Sequence, residues 1–404
     1  MNKKWGAVYL ATFAPLGLSF FSVLALKGVL ARLGARKRPA GARPRVLILA
    51  YLPEDNASAR HRAFKYVPYL QAAGIDCDVV APTDRETYNT LFSTWKPDKQ
   101  YRYFIRVLVN RFRTMLESGN YDAVILQRAV LSELFYDPPL LVFALKLLNP
   151  NLLYDVDDAI FMLPPQSVRS KSRILNHLAR LRHDANCAMS RIVIVSTPHL
   201  KASVKDPRRA RVIPTPVDVE RYPIREHEER SPVVIGWTGG AGNLRFLDIV
   251  AEPLRQLAER YSFVLEVVSS RPYEIPRVPC RFTKWSLEIE SSNMAGFDIG
   301  LMPLEDNEYT KGKAGFKLLQ YMACGLPVIA SPVGVNSEIV RHGETGFLAR
   351  TPSEWAQYLE KLIREPALRA TMGAAGRRIV EQEYSYDVWG PRFADVIRES
   401  IALP

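Results

Sequence analysis

The chain has 404 residues, which the usual domain size of roughly 100–200 residues divides into two or three domains. At 48% hydrophobic, 24% charged and 10% aromatic it is an ordinary globular chain, not a disordered, collagen-like or disulfide-scaffold one. Its charge is +12, but residues 1–45 hold nine Lys and Arg and no acid, so the rest carries only +3, too small an excess for a body that follows a nucleic-acid backbone.

The first element is apolar. Trp5 to Leu26 is a run of 22 uncharged residues, which as a helix spans about 33 Å, enough to cross a hydrocarbon core of about 30 Å. Lys3 and Lys4 precede it, and Lys27, Arg32, Arg36, Lys37, Arg38, Arg43 and Arg45 follow, so the more basic flank keeps the body in the cytoplasm. The competing readings are a cleaved signal peptide and a helix lying in the interface. Cys77, Cys187, Cys280 and Cys324 form no CxxC and the six histidines no metal spacing, which implies a reduced compartment and no structural zinc.

After a Pro/Gly/Arg linker over 34–45, short β-branched runs alternate with helical stretches: Val46–Leu52, Cys77–Ala81, Ala123–Gln127, Leu152–Val156 and Arg191–Ser196. This βαβ rhythm predicts a parallel sheet. The turn after the first run lacks GxGxxG, which argues against a dinucleotide dehydrogenase. Ser58, Arg60, His61 and Arg62 fall in that turn, either facing a phosphate at a helix amino end or simply solvated on a capped helix. Gln127 and Arg128 end another predicted strand. Tyr154-Asp155-Val156-Asp157-Asp158 ends a third, where the carboxylates suit a hydroxyl-binding or acid/base role, a cap, or, least of the three, a metal.

Ile213-Pro214-Thr215-Pro216-Val217-Asp218 reads as an extended crossover. A second βα series then runs through Val233–Thr238, Phe263–Ser269, Asp298–Pro303, Pro327–Ser331 and Gly346–Leu348. Its first turn, Thr238-Gly239-Gly240-Ala241-Gly242-Asn243, exposes backbone N–H groups to an anion, and no GxxxxGK[ST] motif supports a P-loop. In Lys311-Gly312-Lys313-Ala314-Gly315-Phe316-Lys317-Leu318-Leu319-Gln320, a helix from near Lys313 to Cys324 opens on lysines that oppose its own dipole. Free N–H groups with Lys311, Lys313 and Lys317 therefore form a receptor for a diphosphate, and Gln320 shares a helix side with Lys317. From Tyr386 to Ile401, apolar residues at helical spacing predict a closing helix.

Three stretches together resemble the retaining glycosyltransferases of family 4, which have the GT-B fold: Ser58–Arg62 with Tyr69, Leu70 and Gly74; Ile213–Asp218; and Gly315–Glu338, with Met322-Ala323-Cys324-Gly325-Leu326-Pro327 and His342-Gly343-Glu344-Thr345-Gly346-Phe347. The resemblance covers about Arg45 to the carboxyl end. It implies an α/β chain of two Rossmann-like parallel-sheet domains facing a cleft, added to the amino-terminal hydrophobic helix. The expected organisation is an anchor over 1–30, a basic linker over 31–45, an acceptor domain over 46–215, a nucleotide-sugar domain over 216–385 and a crossover helix over 386–404. No catalytic metal or resident cofactor is implied, only a nucleotide-diphosphate sugar as co-substrate.

The family's paired glutamates correspond to Gly312 and Gln320, so a sugar-binding carboxylate is replaced and Lys313 and Lys317 are candidates to take over charge stabilisation. Asp157 and Asp158 complete the catalytic candidates. Thr238, Gly239, Gly240, Lys311, Gly315, Phe316, Gln320, Asn336, Ser337 and Glu338 are expected on the donor; Ser58, Arg60, Arg62, Gln127 and Arg128 on the acceptor side. The expected enzyme is a membrane-anchored glycosyltransferase of cell-envelope polysaccharide synthesis acting on a lipid-linked or glycan acceptor, with a cytoplasmic body and no nucleic-acid partner. The alternatives are a non-catalytic nucleotide-sugar scaffold or sensor and a nucleotide-sugar epimerase.

Overall fold

The computed structural model describes residues 22–24, 26–27, 41–92, 96–131, 137–163, 172–226, 229 and 231–403. The chain divides into two compact units, Met1–Ile213 with Gly390–Pro404, and Pro214–Trp389.

The first unit is built on six parallel strands: β1 (Arg45–Leu49), β2 (Asp76–Val80), β3 (Ala123–Gln127), β4 (Leu152–Val156), β5 (Ile192–Val195) and β6 (Ala210–Val212), in the order β2-β1-β3-β4-β5-β6. The central strands β3 and β4 are buried along their whole length and mostly apolar, as in a sheet covered on both faces. Helices α1 (Ala57–Arg62) and α2 (Val67–Ala72) follow β1; α3 (Pro97–Glu117), α4 (Pro139–Leu148) and α5 (Arg173–Met189) make the next crossovers. From β2 onward the strand order advances in one direction, so right-handed crossovers put α3, α4 and α5 on one face. Their inner sides share one core with Leu126, Tyr154 and Val193.

The second unit has six parallel strands too: β7 (Val233–Thr238), β8 (Phe263–Ser269), β9 (Cys280–Lys284), β10 (Ile299–Met302), β11 (Val328–Ala330) and β12 (Gly346–Leu348), in the order β12-β11-β10-β7-β8-β9. Helices α6 (Asp248–Ala258), α7 (Phe316–Ala323), α8 (Pro352–Arg364) and α9 (Pro366–Glu383) surround it. The closing helix α10 (Tyr386–Ala402) joins the first unit from Gly390 on, where Phe393 stacks on Tyr66 at 4.1 Å between ring centroids.

Two strands escape the apolar pattern. β6 has three residues, beside the proline crossover, and β9 (Cys-Arg-Phe-Thr-Lys) is an edge strand with little burial, so neither shows an apolar run. The helix expected from Lys313 begins instead at Phe316. Gly315 takes φ +66°, and a Cβ there would lie 2.6 Å from Ile339 Cδ1, so the left-handed glycine stops the helix from extending back to Lys313. The expected membrane helix lies almost wholly outside the described residues. Among these no helix is long and apolar enough to cross a membrane, and the helical residues 22–24 and 26–27 bring Leu24 into the first unit's core.

One buried pair ties the first unit together. Arg62, on α1, donates through Nε (3.2 Å) and Nη2 to Asp155 on β4, and through Nη1 to the Ile213 carbonyl at 2.6 Å. Removing one partner of a fully buried ion pair costs about 3–5 kcal/mol, whereas replacing both with apolar groups costs far less. Asp155→Ala should therefore lower stability by about that amount in urea unfolding, and Arg62→Met with Asp155→Leu should restore most of it.

Candidate active site

All strands in each sheet are parallel, so their carboxyl ends lie along one edge, where open α/β sheets bind ligands. In the first unit β1, β3 and β4 bring Tyr51, Ser58, Gln127, Arg128, Asp157 and Asp158 to that edge. Gln127 is buried; its Oε1 accepts from the Tyr51 N–H at 2.9 Å, and its Nε2 donates to Ser58 O and Oγ at 2.9 and 3.1 Å. Arg128 stands at φ 59°, a left-handed conformation uncommon outside glycine, that accompanies its placement between two carboxylates. Its Nε donates to Asp157 Oδ1 at 2.6 Å and its Nη2 to Asp158 Oδ2 at 3.1 Å, while the guanidinium lies 5.3 Å over the Tyr51 ring. Burial pushes the Asp157 carboxyl up, but Arg128, the Ser58 hydroxyl and Arg62 together hold it below the usual carboxylate range. It is an anion that accepts hydrogen bonds and a poor proton acceptor.

Arg60 and Arg62 do not join this group as ligand-facing cations. Both are buried, Arg60 donating to the Asp55 carbonyl at 3.1 Å and Arg62 engaged by Asp155, so neither the phosphate reading nor the solvated one describes them. An arginine after a strand reads the same whether it meets a ligand or a buried aspartate 93 residues later.

In the second unit the first βα turn meets the start of α7. A helix returning from a parallel strand runs antiparallel to it, which sets its amino end at the carboxyl edge. The Thr238 N–H donates to Tyr321 Oη at 2.9 Å, and Lys317 Nζ lies 4.2 Å from the Trp237 ring centroid. A Cβ on Gly239 would fall 2.4 Å from Lys317 Nζ and 2.7 Å from Trp237 Cη2, so this approach needs glycine. The Gly239 N–H itself donates to Val268 O at 3.0 Å and its carbonyl accepts from Ser269 Oγ at 2.7 Å, so Gly239 acts here through its size and not, as the sequence suggested, through a free N–H.

Burial and then the nearby Lys313 charge push the Lys317 ammonium down to about 7, and no carboxylate is among the groups acting on it. Lys313 lies 4.9 Å over the Tyr309 ring. Lys311, by contrast, is bonded to Glu308 at 2.9 Å and lies 3.5 Å from Asp306, so acids of its own turn neutralise it. Gln320 is buried and its Nε2 donates to Tyr222 Oη at 2.8 Å. Asn336 is buried too, bonded to the Ser331 carbonyl at 3.0 Å, while Ser337 and Glu338 are exposed on the following turn. Gly240 meets nothing within 4 Å of a built Cβ, and Phe316 is half-buried against the core. Trp237, Tyr222, Tyr321 and Tyr51 were not anticipated from sequence. Trp237 ends a β-branched run and reads as core; only its ring position beneath Lys317 marks it. Among the described residues no group of three or more His, Cys, Asp or Glu could hold a metal ion.

A lysine titrating near 7 is about 90% neutral at pH 8, while an ordinary one is well under 1% neutral. Competitive acetylation read by peptide mass spectrometry should therefore show Lys317 reacting with a midpoint near pH 7, and Gly239→Ala, by displacing the ammonium, should move that midpoint up toward ordinary lysines.

Residues 233–365 match the family model described as "Glycosyl transferases group 1". Human Alpha-1,3/1,6-mannosyltransferase ALG2 is 47% identical over 66 residues, 16% of this chain and 15% of that protein. The GDP-mannose-dependent monoacylated alpha-(1-6)-phosphatidylinositol monomannoside mannosyltransferase of Corynebacterium glutamicum is 33% identical over 115 residues, 26% and 29% of the two chains. The match thus spans less than a third of either relative. In fold, sucrose-phosphate synthase from Thermosynechococcus elongatus has a TM-score of 0.63 at 16% identity over 89% of this chain and 99% of that one. Anabaena Alr3699/HepE in complex with UDP-glucose has 0.58 at 15% identity over 88% and 100%. Residues 233–365, about a third of the chain, are thus similar to the group 1 glycosyl transferases, within a chain of two parallel six-stranded α/β units.

Proposed function

We propose that the chain is a retaining, metal-independent glycosyltransferase that moves a hexosyl group from a nucleotide-diphosphate sugar to a lipid-linked glycan acceptor at the cytosolic membrane face. The observation that carries this reading is Lys317, a half-buried ammonium against Trp237, beside Lys313 and the amino end of α7, with no carboxylate among the groups acting on it. A cationic site built at a desolvation cost and left without a protein counter-ion suits an anionic ligand. The leaving diphosphate gains negative charge as the bond from the anomeric carbon to its oxygen breaks, and Lys317, Lys313 and the helix end stabilise that charge where a metal otherwise would.

Thr238, Gly239, Gly240, Gly315 and Phe316 shape the diphosphate site; Gln320, Asn336, Ser337 and Glu338 serve the nucleoside or sugar side, and Lys311 flanks it. On the first unit Ser58, Gln127, Arg128, Asp157 and Asp158 take the acceptor, with Arg60 and Arg62 holding α1 in place. Asp157, kept acidic by Arg128, binds acceptor hydroxyls as an anion, and the acceptor proton leaves with the departing phosphate oxygen as the new glycosidic bond forms. Guanidinium groups already face Asp155, Asp157 and Asp158, which supports a mechanism without metal at these carboxylates. The name of the Corynebacterium relative, with its GDP-mannose donor and acylated acceptor, supports a hexosyl donor and a lipid acceptor. The apolar segment flanked by lysines and arginines supports the membrane placement, inner or cytoplasmic, with the body in the cytoplasm.

Calorimetric titration with UDP, GDP, ADP and dTDP, then turnover of the matching sugars, tests the reading. Lys317→Ala should cost on the order of a hundred- to a thousandfold in turnover. Binding without turnover would replace the enzyme by a scaffold or sensor, and donor conversion without acceptor would indicate an epimerase. Because Lys317 must be protonated to pair with the diphosphate, binding takes up a proton. Nucleotide affinity should be flat below pH 7 and fall up to about tenfold per pH unit above it, a slope that Lys317→Ala abolishes.

A further inference from the structure

We infer that the α4–α5 side of the first unit is itself a membrane-docking surface, which lays exposed apolar side chains on an anionic lipid bilayer beside the amino-terminal apolar segment. This deepens the membrane placement proposed above and rests on it.

A helix at the surface of a globular body normally turns polar residues outward. Helix α4, Pro-Leu-Leu-Val-Phe-Ala-Leu-Lys-Leu-Leu, has one polar residue, Lys146. Leu141, Val142, Ala144, Leu145 and Leu148 fill the core, and the outward positions at helical spacing are Leu140, Phe143 and Leu147, the first two exposed and the third half-buried. Helix α5 packs alongside α4 and exposes Ile174 (72%), Leu175 and Leu181, with Arg173 and His177 exposed among them. Of the large hydrophobic side chains exposed among the described residues, these two helices hold a disproportionate share: Leu140, Phe143, Ile174, Leu175 and Leu181, against Ile224, Phe282 and Ile289 in the whole second unit. Clustering of this kind marks an interaction surface, whereas scattered exposed hydrophobics do not.

Two observations select a bilayer as the occupant. The same layer is cationic, since α3 exposes Arg102, Arg106 and Arg113, and an apolar face rimmed by Arg and Lys is the composition that binds anionic lipid surfaces. The uncharged run from Trp5 reaches the body on this side as well. Leu24 enters the core lined by α3, α4 and α5, Lys27 Nζ donates to the Leu116 carbonyl at the end of α3 at 2.7 Å, and Val23 and Leu26 are exposed beside it.

The test uses the full chain in vesicles of phosphatidylcholine with and without phosphatidylglycerol. Fluorescent probes are placed at exposed positions by Leu140→Cys or Leu181→Cys, and by Phe282→Cys on the second unit, with the parent chain's native cysteines as background. The inference expects acyl-chain nitroxide lipids to quench the probes at 140 and 181 and not at 282, iodide in the water to lose access to them, and both effects to weaken in Arg102→Glu/Arg106→Glu/Arg113→Glu. Hydrogen exchange of α4 and α5 in the unmodified chain, slowed by vesicles, gives the same readout without substitutions. Probes at 140 and 181 that stay open to iodide on vesicles, that are shielded before any lipid is added, or that cross-link between copies would overturn it, the last two in favour of the chain's own segment or a second copy. Co-flotation of chain and vesicles reports the amino-terminal association separately, so failure of that placement and failure of the docking surface give different results.

Discussion

Parallel winding is the constraint on which both candidate sites depend. In each sheet every strand points the same way, so each crossover helix must return antiparallel and start where the strands end. Residues far apart in sequence thereby share an edge: Gln127 meets Ser58, and Thr238 meets Tyr321, without any local motif requiring it. The apolar strands buried on both faces hold these edges rigid, which lets loops and helix starts carry polar chemistry at fixed separations.

The two units treat charge in opposite ways. At the edge of the first sheet two arginines are paired with acids: Arg62 faces Asp155, and Arg128 bridges Asp157 and Asp158. Two guanidiniums against three carboxylates leave no excess of positive charge, so the network positions hydroxyl-binding groups without demanding an anionic ligand. At the edge of the second sheet Lys317 is desolvated against an indole face and repelled by Lys313, and both effects disfavour its protonated form. A nearby anion would oppose both effects and favour the protonated form.

The lysine-rich start of α7 was legible because lysines at a helix amino end run against the dipole, which is a local signal. Which of the three remains available was not legible. Lys311 finds Glu308 and Asp306 in its own turn, whereas among the described residues Lys317 meets the Trp237 ring and the charge of Lys313, and that difference depends on side-chain direction. The same limit hid the fate of Arg60 and Arg62, which looked like surface cations and are buried. Gln320, expected on the donor, donates an amide N–H to Tyr222, a partner 98 residues away.

By itself the sequence determined the class of fold and most of its strands, because sheets buried on both faces require unbroken apolar runs and crossovers require helical periodicity. It also determined that a cationic, glycine-rich turn opens α7 and that an uncharged segment precedes a basic linker. Only the tertiary structure decided which charges cancel, that Gly239 is required by the approach of Lys317 to Trp237, and that Leu140, Phe143, Ile174, Leu175 and Leu181 on α4 and α5 stay exposed in the folded unit. The reason is physical: apolar periodicity is a property of neighbours along the chain, whereas desolvation, ion pairing and exposure are set by groups that become neighbours only after folding.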